Sequence, residues 1–395
     1  MSAPGQAHGR AAGAARGLPA VLALAWFVGL GAALVHGPLL TIAANRLVPG
    51  VPVAGWAGLG PALPGVLVLS APAAGLLASA SGGRAGAVAL ALLLAAAGLL
   101  AWGIGHGAAL RMAAEPPAAR AGLGAGAWLA AALLAAALGV AVQRGRRPGL
   151  GLGIVLLVGV GLIVAGRAGT FAALSLAVEY AGRRAALHAA FVEHLALAGG
   201  ALALAIPVTI GLSLWRRGQD LVGIVVGGLQ VVPAVALLGA LVALTGGLLR
   251  AVPALRELGL SALGPGPAVV GIAAYLLLPL WRGLASALRA PDPDSLDAAR
   301  ALGLTDAQIL VRLRLPLGAP QLVGALRVAA VQAIGLATLG ALIGAGGLGR
   351  IVFDGMAQFA PDLILLGAVP VIALSLVAER ALSGVEDRMR VGAPA

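Results

Sequence analysis

The sequence predicts an all-α polytopic membrane protein with about ten transmembrane helices. Three observations predict it. The chain is 61% hydrophobic and only 10% charged, with a mean hydropathy of +1.03. Its uninterrupted apolar runs reach the ~20 residues that cross a hydrocarbon core of about 30 Å. Proline and arginine gather between those runs, where turns and head-group contacts are needed.

The net charge of +12 is spread over loops and helix ends. That scatter fits topology and lipid head-group contact, not nucleic acid. No cysteine is present, which excludes disulfides, thiolate metal sites and cysteine nucleophiles. All 26 basic residues are arginine, so a G-x-x-x-x-G-K-[ST] phosphate loop cannot exist here. ATP, if used, is hydrolysed by another chain.

Residues 1–17 are small, polar and basic and are predicted to be a disordered cytoplasmic tail. The run 18–44 is too long for a signal-peptide core and reads as an uncleaved first span. Spans are predicted at 63–81, 85–105, 123–142 and 150–165, giving a five-span region over 18–166. Glu115, in a loop, is the only acid before Glu179, so this half lacks the embedded carboxylates a coupled carrier needs. His36 and His106 read as interface or locally bonded histidines. Residues 167–190 form a polar linker with some helical pattern, and the boundary between halves is placed there.

Five further spans are predicted at 195–214, 221–245, 268–288, 322–343 and 363–382. Counting arginines at the span ends, with the N-terminus inside, puts both termini in the cytoplasm, although the Arg183–Arg184 pair argues the other way. Arg282 and Arg327 sit inside spans and should pair with acids of the loop between them or anchor at the interface. Gly223–Gly227 and Gly340–Gly344 have the spacing that lets helices approach closely. The glycine-rich run 340–349 suits either a flexible gate or a packed helix end with a tight reversal.

The stretch 292–320 stands out between two long apolar runs. It holds Asp292, Asp294, Asp297 and Asp306 together with Arg300, Arg312 and Arg314. Pro291 and Pro293 keep its entry extended. Asp294 or Ser295 is expected to cap a first helix through Leu302, and Gly303 suits the left-handed position that follows. Thr305 and Gln308 have capping-box spacing for a second helix, which Pro316 and Pro320 should limit before the next span. A rigid helix–turn–helix in water is shaped for contact.

Asp297-Ala298-Ala299, Gly303 and Leu313-x-Leu315-Pro316 resemble the EAA loop of ABC-importer permeases, with aspartate for glutamate and leucine for isoleucine. Phe191-Val-Glu-His-Leu195 opens the second half as such permease domains open. The segments 228–239 and 333–349 are similar to the glycine betaine/choline/carnitine, or osmoprotectant, subgroup, with Ala234 at a serine position. The long form with an extra five-span half is similar in architecture to betaine-uptake permeases.

The resemblance implies that residues 191–390 form a type I ABC-importer permease domain, with a cytoplasmic coupling loop at 290–317. Its coupling residues would be Asp297, Ala298, Ala299, Gly303, Leu313, Leu315 and Pro316. Its path or gate candidates would be Gln230, Pro233, Tyr275, Thr338, Gly344, Gly346 and Gly347, with packing or lipid contact the competing reading for Tyr275.

The implied function is ATP-driven uptake of a small osmoprotectant such as glycine betaine, choline or carnitine across a bacterial inner membrane. The implied partners are a cytoplasmic ABC ATPase that binds ATP and Mg, a periplasmic or lipid-anchored binding protein, a second permease copy or similar permease, and membrane lipid. No nucleic acid, no metal and no catalytic residue is expected in this chain. The alternatives are an ABC permease for another small polar solute, such as methionine or phosphonate, or a secondary carrier. A membrane enzyme is disfavoured by the absence of H-E-x-x-H and G-x-S-x-G motifs.

Overall fold

A computed structural model describes residues 5–45, 48–79, 83–145, 149–215 and 218–391. Arg46, Arg146, Arg147, Arg216 and Arg217, used in the arginine count, lie outside the described residues. Eight helices among them are long and apolar enough to cross a membrane. Three shorter apolar helical stretches, Pro19–Val35, Ala62–Ala78 and Gln219–Leu229, accompany them. The chain divides into two compact units, Met1–Gly182 and Arg183–Ala395.

In the first unit, α1 spans Gly5–Val35 and takes in residues 5–17 of the expected tail, where alanine-rich sequence favours helix. The predicted span 18–44 is not one helix. It ends at Val35, and β1 (Pro38–Ala43) follows. β2 (Val51–Ala54) and β3 (Arg120–Leu123) flank β1 antiparallel in the order β2-β1-β3. The helices are α2 (Gly55–Leu59), α3 (Ala62–Ala78), α4 (Gly83–Met112), α5 (Ala125–Gly145) and α6 (Leu150–Arg167). Leu30, Leu34, Leu40, Leu93 and Leu134 are buried in one core that joins α1, β1, α4 and α5. Trp26 Nε1 donates to the Leu133 carbonyl at 2.7 Å and ties α1 to α5. His106 stacks on Trp102 one helical turn earlier, centroids 5.0 Å apart, so its role is local. α6 buries no residue, as suits a helix apolar on all sides.

α7 (Ser175–Leu214) has a kink at Arg183, so the second half of the 167–190 stretch runs directly into the next span. In the second unit, the predicted span 221–245 is broken. α8 (Gln219–Leu229) stops, residues 230–233 turn, and α9 (Ala234–Ala251) begins after Pro233. Proline donates no N–H and its ring crowds a preceding turn, so one helix cannot run through it undisturbed. α10 (Ala254–Glu257) is a single turn, and α11 (Pro265–Leu288) is a full span. Two short helices, α12 (Pro293–Ala301) and α13 (Asp306–Ile309), lead through a π-helical turn (Leu310–Arg314) into α14 (Leu315–Gly340). α15 (Leu348–Ala357) and α16 (Pro361–Val391) complete the unit. Leu197, Ala201, Ile272, Leu276, Ala333 and Ala337 form the core where α7, α11 and α14 meet.

Candidate coupling surface and translocation path

The elbow between α11 and α14 is built from local rules. Asp292, not Asp294 or Ser295, caps α12: its Oδ1 accepts the Ser295 backbone N–H at 2.8 Å and its Oδ2 accepts the Ser295 hydroxyl at 2.8 Å. An aspartate outside the helix with extended backbone is placed to reach the third N–H, and Pro293 at the first helical position needs no acceptor. The two Ser295 donors hold the Asp292 carboxyl below the usual carboxylate range.

Gly303 takes φ 78°, and the pair of bonds Gly303 N to Arg300 O (2.9 Å) and Leu304 N to Ala299 O (3.1 Å) closes a Schellman motif. Thr305 and Gln308 form the capping box in both directions, at 3.3 and 2.9 Å.

Pro316 and Pro320 do not end the second helix. α13, the π turn and α14 form one apolar rod over Asp306–Ile343. The wide turn just before Pro316 relieves the crowding a proline ring imposes on the preceding carbonyls. Arg314, on that turn, donates through Nη1 to the carbonyl of Leu288, the last residue of α11, at 2.9 Å. Gly318 lies so close to α11 that a Cβ would meet the Ala287 carbonyl at 2.5 Å. Both ends of the elbow are therefore fixed to each other.

Asp297, Ala298 and Gly303 are exposed, and Ala299 is buried beneath them. Asp297 pairs with Arg300 of its own helix at 2.9 Å, both well exposed, a contact that orients side chains more than it stabilises. Leu313 and Leu315 are half-buried and Pro316 is exposed. Leu302 at the turn is 80% exposed and Val311 62%.

The path candidates fall into two clusters. At the break between α8 and α9, Gln230 Nε2 donates to the carbonyl of Tyr275, and the Tyr275 hydroxyl donates to the carbonyl of Val232. Tyr275 is 7% exposed and packed within this chain, while Pro233 is exposed. The crevice beside Tyr275, with Leu238, Ile272 and Leu336 among its walls, measures about 10 Å³, room for one water at most. No open path runs through it.

Thr338, Gly344, Gly346 and Gly347 lie instead at the far end of α14. There the chain reverses through left-handed Gly344, Gly346 and Gly347 (φ 80°, 77° and 75°). Glu193 Oε2 accepts the Gly347 N–H at 2.8 Å, and the adjacent His194, fully buried, bonds the Ile334 carbonyl through Nε2 at 3.0 Å. The carboxylate faces the start of α15, where the helix dipole favours negative charge. This clamp between the F-V-E-H-L segment and the glycine run was not foreseen, though both segments stood out separately.

Arg327 does not reach the island acids. Its Nη1 donates to Glu379 at 2.8 Å, and its Nε lies 3.3 Å from Glu386 in ionic contact without hydrogen-bond alignment. Glu386, 6% exposed, also accepts from Arg390 at 2.6 Å. These four side chains join α14 to α16. Arg282 is exposed and makes no ion pair with an island acid among the described residues. Gly223 and Gly227 meet nothing within 4 Å, so their spacing serves no packing inside this chain. The described residues contain no cluster of metal-ligating side chains.

The described residues thus form a bundle of apolar spans with a capped, polar elbow fixed to two of them, the architecture of a multi-pass membrane protein. The comparisons give its family. Residues 200–391 match the family described as binding-protein-dependent transport system inner membrane component, and residues 17–177 match the N-terminal domain of the ABC transporter permease YehY. The carnitine transport permease protein OpuCB of Listeria monocytogenes is 34% identical over 188 residues, covering 48% of this chain and 79% of that protein. The choline transport system permease protein OpuBB of Bacillus subtilis is 29% identical, with 47% and 78% covered. The osmoprotectant import permease protein OsmW of Salmonella typhimurium is 31% identical, with 47% and 83% covered. A solved inward-facing MetNI methionine ABC transporter matches at 22% identity and a TM-score of 0.45, over 53% of this chain and 98% of its own. The chain belongs to the binding-protein-dependent inner-membrane permeases of ABC importers, a family whose members work with an ATPase and a substrate-binding protein.

Proposed function

We propose that this permease imports a small quaternary-ammonium osmoprotectant of the glycine betaine, choline or carnitine class across a bacterial inner membrane. Two copies, or this chain and a similar permease, form the path. A periplasmic or lipid-anchored binding protein delivers the solute. A cytoplasmic ATPase dimer binds ATP and Mg and grips the two elbows, and both termini of this chain face the same compartment as that ATPase. The permease itself catalyses no reaction; without lysine it cannot build a phosphate loop.

The observation that carries the reading is the elbow. It is capped at Asp292, Gly303 and Thr305 and tied to α11 by Arg314. A push on α12 therefore passes to α11 and to the continuous α14 rod without being absorbed in a floppy loop. The substrate class rests on the carnitine, choline and osmoprotectant permeases that this chain resembles.

The test is uptake of labelled glycine betaine by cells carrying this chain with its ATPase and binding protein, against cells lacking only this chain. Saturable uptake that disappears without it is expected. Absence of uptake while the ATPase still co-purifies would retain the permease and remove the substrate class.

A further inference from the structure

The break between α8 and α9 docks beside the middle of α11. Tyr275, on which it is docked, is the eleventh residue of the 24 in α11. It lies about 15 Å from the start of a helix about 36 Å long, close to mid-depth. The break is also open on its outer side. Val231 is 83% exposed and Val232 38%.

Non-helical backbone at this depth is not found against lipid, because its polar groups have no partner there. It occurs where it is buried in protein or lines a water-filled cavity. Tyr275 satisfies the Val232 carbonyl, and Gln230 uses its amide N–H on Tyr275. The amide oxygen of Gln230 makes no bond among the described residues. The 11-residue α8 ends here too with the negative end of its dipole, although the Gly227 and Gly228 carbonyls already accept the Gln230 and Val231 N–H groups of the turn. No formal charge lies among residues 221–249. The break thus offers the Gln230 amide oxygen at a negative dipole end, with no formal charge on its own segment to trap a passing solute. A weak site of that kind suits a cation whose charge is spread over methyl groups.

We propose that the Gln230–Pro233 break, held on Tyr275, is a mid-depth element of the translocation path that takes a quaternary ammonium head group. This deepens the substrate reading above and rests on it for the identity of the solute.

The absence of native cysteine allows a direct test. Val231→Cys, and Ile163→Cys on α6 as a lipid-facing control, are made in the full chain expressed with its ATPase and binding protein. Membranes are treated with trimethylammonioethyl methanethiosulfonate, a quaternary ammonium thiol reagent, and with the anionic sulfonatoethyl analogue. The expected result is modification of Val231→Cys by the cationic reagent over the anionic one at a rate ratio at least about tenfold above the ratio that the two reagents show with a free thiol in solution, and protection by excess glycine betaine, with Ile163→Cys unreactive. That ratio corresponds to roughly 1.4 kcal/mol of preference.

Modification of Val231→Cys only by a lipid-soluble maleimide would overturn the proposal, since the break would face lipid. No modification by any reagent would overturn it as well, since another subunit would cover the break. A rate ratio no larger than that of a free thiol in solution would remove the cation preference. A second variant, Gln230→Leu, is expected to lower betaine uptake several-fold to about tenfold with unchanged ATPase co-purification; unchanged uptake would count against the amide's role. If the native chain imports no betaine, choline or carnitine, the substrate reading falls, whereas the charge ratio at Val231→Cys still judges the site.

Discussion

Arg314 donates from the π turn to the carbonyl of Leu288 at 2.9 Å. Leu288 closes α11, and its carbonyl is one of the four that every helix leaves without an internal partner. One guanidinium thereby caps the incoming span while standing on the root of the outgoing one. Hydrogen bonds to charged groups contribute about 1.5–3 kcal/mol. Arg314→Leu should free the two spans to move separately at the elbow. The expected outcome is an ATPase that still binds but whose hydrolysis is no longer matched by uptake, read as a fall of roughly tenfold or more in solute moved per ATP. Arg314→Lys, which keeps a donor on a shorter head, should retain part of the coupling.

Gly303 supports the same surface from its middle. At φ 78° an L-residue carries a penalty of about 1–2 kcal/mol, and a β-branched one more. Space is not the issue, since a Cβ there would meet nothing within 4 Å. Gly303→Val is therefore expected to reduce ATPase co-purification strongly, and Gly303→Asn only mildly, because asparagine tolerates this conformation. Equal retention by both variants would show that the turn does not position the docking face.

The Asp292 cap gives the elbow a defined pH dependence. Its carboxyl is held below the ordinary value of about 3.9 by the Ser295 N–H and hydroxyl. A group depressed on folding contributes stability that is present above the unfolded value and is lost as pH falls through the folded one. Protection of the 292–305 segment from limited proteolysis should thus be flat through neutral pH and decline only in acid below the usual carboxylate range. Asp292→Ala should lower protection at neutral pH and abolish that acid limb; Asp292→Asn, whose side-chain oxygen still accepts from the Ser295 N–H, should abolish the limb while keeping much of the protection.

What could be read from sequence follows the range of the interactions. The Gly303 turn and the Thr305–Gln308 box are written within six and four residues and are legible as spacing. The first cap is not legible from local spacing, because three acceptors, Asp292, Asp294 and Ser295, compete over four positions, and Pro293 favours the one before it. Arg314 finds a backbone carbonyl, a group every residue offers, so nothing in its neighbourhood announced Leu288. Glu193 and Gly347 are 154 residues apart, and Arg327 and Glu379 are 52 apart; only the folded bundle brings them together. β1 hid inside an apolar run because hydropathy alone does not separate a strand from a span. The path candidates separate into two clusters, at the α8–α9 break and at the glycine reversal, a division that spacing along the chain does not show.

The ion network on α16 predicts a stability effect distinct from coupling. Arg327 faces both Glu379 and Glu386, and Glu386 is almost fully buried over Gly324. Removing the arginine leaves Glu386, among the described residues, only the exposed Arg390 as an ionic partner. Arg327→Met should lower stability in detergent by about 1.5–3 kcal/mol, seen as a drop in the thermal unfolding midpoint. Pairing it with Glu379→Gln and Glu386→Gln, which removes the stranded charges, should restore much of the loss.

The Glu193 clamp separates hydrogen bonding from charge. Glu193→Gln keeps an oxygen for the Gly347 N–H but gives up the charge facing the α15 N-terminus, worth about 0.3–1 kcal/mol. Glu193→Ala loses both, and a larger fall of about 1.5–3 kcal/mol is expected. Gly347→Ala attacks the same contact from the other side. It forces a left-handed alanine, and its Cβ would lie 3.3 Å from Nδ1 of the buried His194. His194 is held at Ile334 and cannot swing away without breaking that bond. The three variants should therefore rank Gln, then the two Ala changes, in loss of thermal stability. If Glu193→Ala unfolds no earlier than Glu193→Gln, the carboxylate is not what holds the glycine reversal to α7.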